Sequence, residues 1–127
     1  QYQVLIPPEY AAEGVRSLLE LLHKQGMASP LTVLKKMGGE SAGLSFPKAG
    51  YTLTFDIPYT DRLSQVMDRL IECAIDFGGR FYLAKDAFLT AAQFERSDPR
   101  VFRFREFRES RGLKKVFRSV QSERLDL

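Results

Sequence analysis

The spacing of apolar residues switches along the chain between a period of two and a period near 3.6, and each switch marks an element. Residues 1–6 alternate, with Val4 and Ile6 opposed to Gln1 and Gln3, and Pro7-Pro8 then ends a strand and can open a helix. From Glu9 the spacing of Ala12, Val15, Leu18, Leu19 and Leu22 is helical, and Gly26 is a natural stop. After Ser29-Pro30, Leu31–Met37 reads as a strand, and Gly38–Gly50 is a loop rich in Gly, Ser and Pro. Tyr51–Ile57 alternates again, with Leu53, Phe55 and Ile57 opposed to Thr52, Thr54 and Asp56. Thr60 is a candidate N-cap for a helix with the stripe Leu63, Val66, Met67, Leu70, Ile71 and Ala74, closed by Gly78-Gly79. Arg80–Ala84 reads as a fourth strand with Lys85-Asp86 at its end.

The order β-α-β-β-α-β predicts an α+β fold of the ferredoxin-like type, in which two amphipathic helices cover one face of a four-stranded antiparallel sheet. Leu18, Leu22, Leu70 and Ile71 are expected in its core. Val101–Phe107 fits both periods, and is taken as helix because Pro99 can start it and Gly112 can stop it. Residues 1–89 therefore form the sheet-and-helix unit, and residues 90–127 a C-terminal helical extension of the same domain.

A chain of 127 residues with 44% hydrophobic and 28% charged residues is that of one globular domain with one core. No apolar run reaches the ~20 residues that cross a bilayer, and no signal-peptide pattern opens the chain, so a cytoplasmic location is expected. Gln1 begins almost directly on a strand without an initiator Met, which fits a piece of a longer polypeptide. The net charge of +3 is uneven: residues 96–127 hold ten Lys/Arg against five Asp/Glu, a net +5, leaving −2 for residues 1–95. Such a basic segment suits an acidic partner, a nucleic acid or a membrane surface.

Most catalytic chemistry has no residues to run on. The glycine pairs make neither a dinucleotide fingerprint nor a P-loop. His23 is the one histidine and Cys73 the one cysteine, so neither a metal site nor a Cys-His or Ser-His-Asp arrangement can be assembled. His23 reads as a surface residue near a helix C-terminus, and Cys73 as a small apolar group in a helix. The informative polar residues lie on strands. If the apolar sides meet the helices, Gln1, Gln3, Thr52 and Thr54 share the uncovered face, which meets either solvent or a ligand or second domain. Lys35 and Lys85 pose the same choice between a snorkelling side chain and a functional cation.

Several segments occur together in order: Gln1-Tyr2-Gln3 before an apolar run, Val33-Leu34-Lys35-Lys36-Met37-Gly38, Leu44-Ser45-Phe46-Pro47, and Phe77-Gly78-Gly79-Arg80-Phe81-Tyr82-Leu83-Ala84-Lys85-Asp86. Val116-Phe117-Arg118-Ser119 and Glu123-Arg124-Leu125-Asp126-Leu127 close the chain. Over nearly its whole length this resembles the C-terminal region of FAD-linked oxidases of the vanillyl-alcohol-oxidase superfamily. The resemblance implies that an N-terminal domain of the same polypeptide binds FAD, and that this chain covers the flavin and shapes the pocket for an alcohol, sugar, polyol or lactone-type substrate. It implies that Lys85 is the catalytic cation beside the flavin and that Tyr82 lies with it against the cofactor. Gln1, Gln3, Lys35, Thr52 and Thr54 would line the substrate pocket. Thr52, Thr54 and Met37 stand where one type of these oxidases has Asn, Cys and Phe, so pocket shape and polarity differ. Alone, the chain is expected to be inactive.

Two other readings compete with this one. The same architecture serves RNA-recognition modules, and Arg100–Arg108 interleaves Arg with Phe, but Tyr51–Ile57 carries threonines where base-stacking aromatics are needed. A small-molecule-sensing domain would bind its ligand without any flavin domain.

Overall fold

The computed structural model describes residues 1–40 and 42–127. Strands β1 (Tyr2–Ile6), β2 (Thr32–Met37), β3 (Gly50–Phe55) and β4 (Arg80–Phe81) form one sheet in the order β2-β3-β1-β4, and each neighbouring pair is antiparallel. Helix α1 (Ala11–Lys24) joins β1 to β2 and helix α2 (Leu63–Asp76) joins β3 to β4, so each crossover steps over one strand. Helices α3 (Ala91–Ser97), α4 (Arg100–Ser110), α5 (Leu113–Val116) and α6 (Val120–Arg124) follow. The α+β class and the four-stranded antiparallel sheet are as the sequence periods predict.

The cross-strand register sorts the side chains into two faces. Tyr2, Val4 and Ile6 pair with Phe55, Leu53 and Tyr51, and Val4 also pairs with Phe81. This face takes the helices. The expected core residues Leu18, Leu22, Leu70 and Ile71 are all buried there, as is every residue of the stripe predicted for α2. Each such leucine contributes about 1.5–3 kcal/mol by leaving water. Tyr2 stacks on Phe55 with ring centroids 6.2 Å apart, meets Phe81 edge-on, and donates its hydroxyl to the Leu70 carbonyl at 3.3 Å. Burial pushes its phenol well above the usual tyrosine range.

Several boundaries differ from the sequence expectation. The buried stripe of α1 is Ala11, Gly14, Leu18 and Leu22, while Ala12 and Leu19 face solvent. Gly14 explains the rotation, because a Cβ there would already stand 3.1 Å from Ile6 and Phe77, and its absence lets the helix seat closely. The N-cap position of α2 is Arg62, which makes no side-chain cap, rather than Thr60. Thr60 instead accepts the Leu63 N–H in the turn before the helix. The fourth strand is two residues long, and Leu83–Lys85 is a 3-10 turn, so Lys85 is not a strand end. Asp86 then folds the next segment: its Oδ1 accepts the N–H groups of Phe88 and Leu89 at 3.1 and 2.9 Å.

Gly79 closes the step from α2 to β4. A Cβ at this position would lie 2.6 Å from the Ala74 carbonyl oxygen and 3.0 Å from Val4, and backbone cannot swing away as a side-chain tip can. Gly79→Ala is therefore expected to destabilise the fold by about 1–3 kcal/mol, the usual cost of overpacking. A urea melt with an unchanged midpoint would contradict this.

The tail belongs to the same core, for Leu89, Phe94, Val101 and Leu125 are fully buried in it. Thr90 opens α3 with a capping box made with Gln93, and Pro99 opens α4 as expected. Gly112, at φ +67°, separates α4 from α5. No helix among the described residues is long and apolar enough to cross a membrane.

Candidate functional site

On the sheet face away from α1 and α2, the register aligns two rows. Val33, Thr54 and Gln3 form one, and Lys35, Thr52, Leu5 and Arg80 form the other. Tyr82 extends the first row: it is still in an extended conformation and donates its N–H to the Gln3 carbonyl at 3.0 Å. The backbone thus brings Gln3, Lys35, Thr52, Thr54 and Tyr82 to one face, although they come from four segments of the chain. Gln1 precedes β1 and is exposed, with no register partner.

This face is not open in the way alternation alone suggests. Leu5 and Thr52 are fully buried and Thr54 is 8% exposed, whereas Gln3 is half-buried and Lys35 is exposed. The loop after β2 folds back over the β4 end of this face. The Phe46 ring lies 4.8 Å from that of Tyr82, and Arg80 donates to the Pro47 carbonyl at 3.5 Å. The Thr52 hydroxyl is buried and has no hydrogen-bond partner among the described residues. A buried hydroxyl left unpaired costs free energy, and such atoms mark places where something else supplies a partner.

A four-charge cluster pins the loop. Arg80, 9% exposed, donates to Glu40 at 2.9 Å and lies 3.7 Å from Asp98. Arg100 donates to both Asp98 oxygens, at 2.7 and 2.6 Å, and to Glu40 at 3.2 Å. It also binds the carbonyls of Gly43 and Ser45 at 2.9 and 2.8 Å. The hydrogen bond from Arg80 holds the Glu40 carboxyl below the usual carboxylate range, and Asp98 raises the Arg100 guanidinium further. Between loop, turn and α3–α4 junction remains a cavity of about 240 Å³, lined by Phe46, Tyr82, Arg80 and Asp98 among others. The sequence reading gave Phe46, Arg80, Asp98 and Arg100 no role. One signal was available: an arginine inside the apolar run of β4 needs a buried partner.

Lys85 sits in the turn just beyond Tyr82, its N–H bonded to the Tyr82 carbonyl at 2.8 Å. It is half-buried, and its ammonium has no ion pair or hydrogen bond among the described residues. Asp86 beside it is fully engaged. Its second oxygen accepts from Arg124 at 2.9 Å, while Gln121 binds the Leu83 carbonyl at 2.6 Å, so the end of the chain latches the turn. Arg124 also donates to the Leu89 carbonyl, and Arg108 to that of Phe117. Much of the positive charge of the tail is therefore committed to internal contacts.

The donor set on this face is an amide, an ammonium, two hydroxyls and an aromatic ring, with a second ammonium one turn away. These groups suit hydroxylated ligands and the polar edge of an isoalloxazine. They do not suit a pyrophosphate, since no glycine-rich loop opens a helix here. The residues therefore fit one side of a flavin pocket and not the nucleotide half. No group of three or more His, Cys, Asp or Glu side chains among the described residues could hold a metal.

No family model matches the chain. Over 128 aligned positions it is 36% identical to decaprenylphosphoryl-beta-D-ribose oxidase of Mycolicibacterium smegmatis. The match takes in the whole of this chain and 28% of that protein, so the chain spans less than a third of the relative's length. This similarity agrees with the resemblance carried by the motifs.

Proposed function

We propose that this chain is the substrate-side, C-terminal domain of an FAD-linked oxidase. In this reading the longer polypeptide oxidises a hydroxyl-bearing carbon of a sugar, polyol or lactone-type substrate to a carbonyl. The observation that carries the reading is the single polar face on which Gln3, Lys35, Thr52, Thr54 and Tyr82 meet, with the Thr52 hydroxyl buried and unpartnered. The similarity of this chain to part of an oxidase supports the same reading.

FAD, held mainly by the N-terminal domain of the same polypeptide, supplies the hydride acceptor. Lys35, Thr52, Thr54 and Gln3 hydrogen-bond the substrate hydroxyls and orient the carbon to be oxidised, and Gln1 closes the edge of the pocket. Tyr82 packs against the flavin ring. Lys85 would hold a positive charge beside the flavin ring, where it favours the anionic reduced form. The setting is a cytoplasmic enzyme.

The full-length polypeptide should purify yellow, with about one FAD per chain, and its flavin absorbance should bleach on anaerobic mixing with one member of a panel of sugars, polyols and lactones. The 127-residue chain alone should be colourless, because one side of a flavin pocket makes too few contacts to offset the cost of association. A full-length protein without flavin would end this reading.

A further inference from the structure

We infer that Phe46 is a positioning residue for Tyr82, and that Arg80 and Arg100 hold it in place by gripping the backbone on either side of it. The inference rests on the proposal that Tyr82 packs against the flavin, and adds how its ring is set.

Tyr82 is anchored through its backbone, by the N–H bond to Gln3, but nothing in the β-strand fixes its ring. Two side-chain torsions remain free, and the hydroxyl has no hydrogen-bond partner among the described residues. The Phe46 ring removes that freedom from one side, at 4.8 Å and an interplanar angle of 33°. An aromatic pair at this separation contributes beyond its buried area. Phe46, however, is carried on a loop with no regular structure, and it could not constrain anything unless it were itself held.

It is held on both flanks. The carbonyl of Ser45, immediately before it, accepts from Arg100 at 2.8 Å, and the carbonyl of Pro47, immediately after it, from Arg80 at 3.5 Å. The two guanidinium groups are in turn fixed by one buried carboxylate, Asp98, at 2.6 and 3.7 Å. A path of direct contacts therefore runs from the α3–α4 junction through Asp98 and both arginines to Phe46 and then to Tyr82. The arrangement suits a group whose orientation must be repeated within a fraction of an ångström. A loop that merely covered the sheet would need no such grip.

The test is a double-mutant cycle in the full-length flavin-bearing polypeptide, read on the midpoint potential and visible absorption maximum of the bound flavin and on its rate of reduction by substrate. Phe46→Ala and Tyr82→Ala should each shift the potential and spectrum in the same direction and slow reduction about 10-fold. The double variant should be no worse than Tyr82→Ala alone. Phe46→Tyr, which keeps the ring, should restore parent values, and Phe46→Leu, which keeps apolar bulk and the fold, should behave as Phe46→Ala. If both Phe46→Ala and Phe46→Leu leave potential and spectrum at parent values while Tyr82→Ala shifts them, the inference is wrong and the reading of Tyr82 stands. Additive effects would also overturn it. If Tyr82→Ala itself changes nothing, the proposed placement of Tyr82 fails and takes the inference with it.

Discussion

Replacing Lys85 by Met in the full-length polypeptide is expected to slow reduction of the bound flavin by substrate about 100-fold, the usual scale for deleting one positioned electrostatic group. Lys85 is half-buried in a turn directly after Tyr82 and has no counter-ion among the described residues. A charge in that setting is costly unless something polar or anionic meets it. In the proposed enzyme the electron-rich reduced flavin and the reacting hydroxyl do so. Methionine keeps the length of the stem and removes only the charge, and Lys85→Ala should be equally impaired. Lys24→Ala is the control, since Lys24 is exposed and makes only a 3.4 Å surface pair with Glu20. Anaerobic stopped-flow absorbance measures the step directly. A parent rate for Lys85→Met would reduce Lys85 to an ordinary turn residue.

The second large effect is on stability. Asp86→Ala should destabilise the fold by about 3 kcal/mol, the scale of breaking a buried, hydrogen-bonded charge pair. One carboxylate, 8% exposed, accepts two backbone N–H groups through Oδ1 and Arg124 through Oδ2. Its loss strands the two N–H groups, leaves Arg124 with backbone carbonyls alone, and weakens the hold of the chain end on this segment. Asp86→Asn, which can still accept the two N–H bonds, should lose roughly half as much. Urea unfolding followed by far-ultraviolet circular dichroism reads both values. If Asp86→Ala melted like the parent, the turn would have to be held by other contacts.

The α+β class and the four-stranded antiparallel sheet are legible in the sequence alone, because one buried face per element writes its period directly into the residues. The stripe of α2 from Leu63 to Ala74 and the opposition of Leu53 and Phe55 to Thr52 and Thr54 are both kept in the structure. The same alternation also put Gln3, Thr52 and Thr54 on one face before any register was known, since a strand has only two faces to choose from. Spacing could not show where local chemistry overrides the period. The strand ends at Phe81 and a 3-10 turn takes over at Leu83, earlier than the apolar run Phe81–Ala84 suggests, and Gly14 lets α1 seat closely against Ile6 and Phe77. Nor could it show what lies over the polar face. The cover is built by contacts across 55 residues, between Ser45 and Arg100, and across 33, between Pro47 and Arg80. Guanidinium groups at such separations leave no periodic trace. Tertiary contacts alone bury Thr52, bring Phe46 to Tyr82, and set Arg124 of the basic tail on Asp86 beside Lys85.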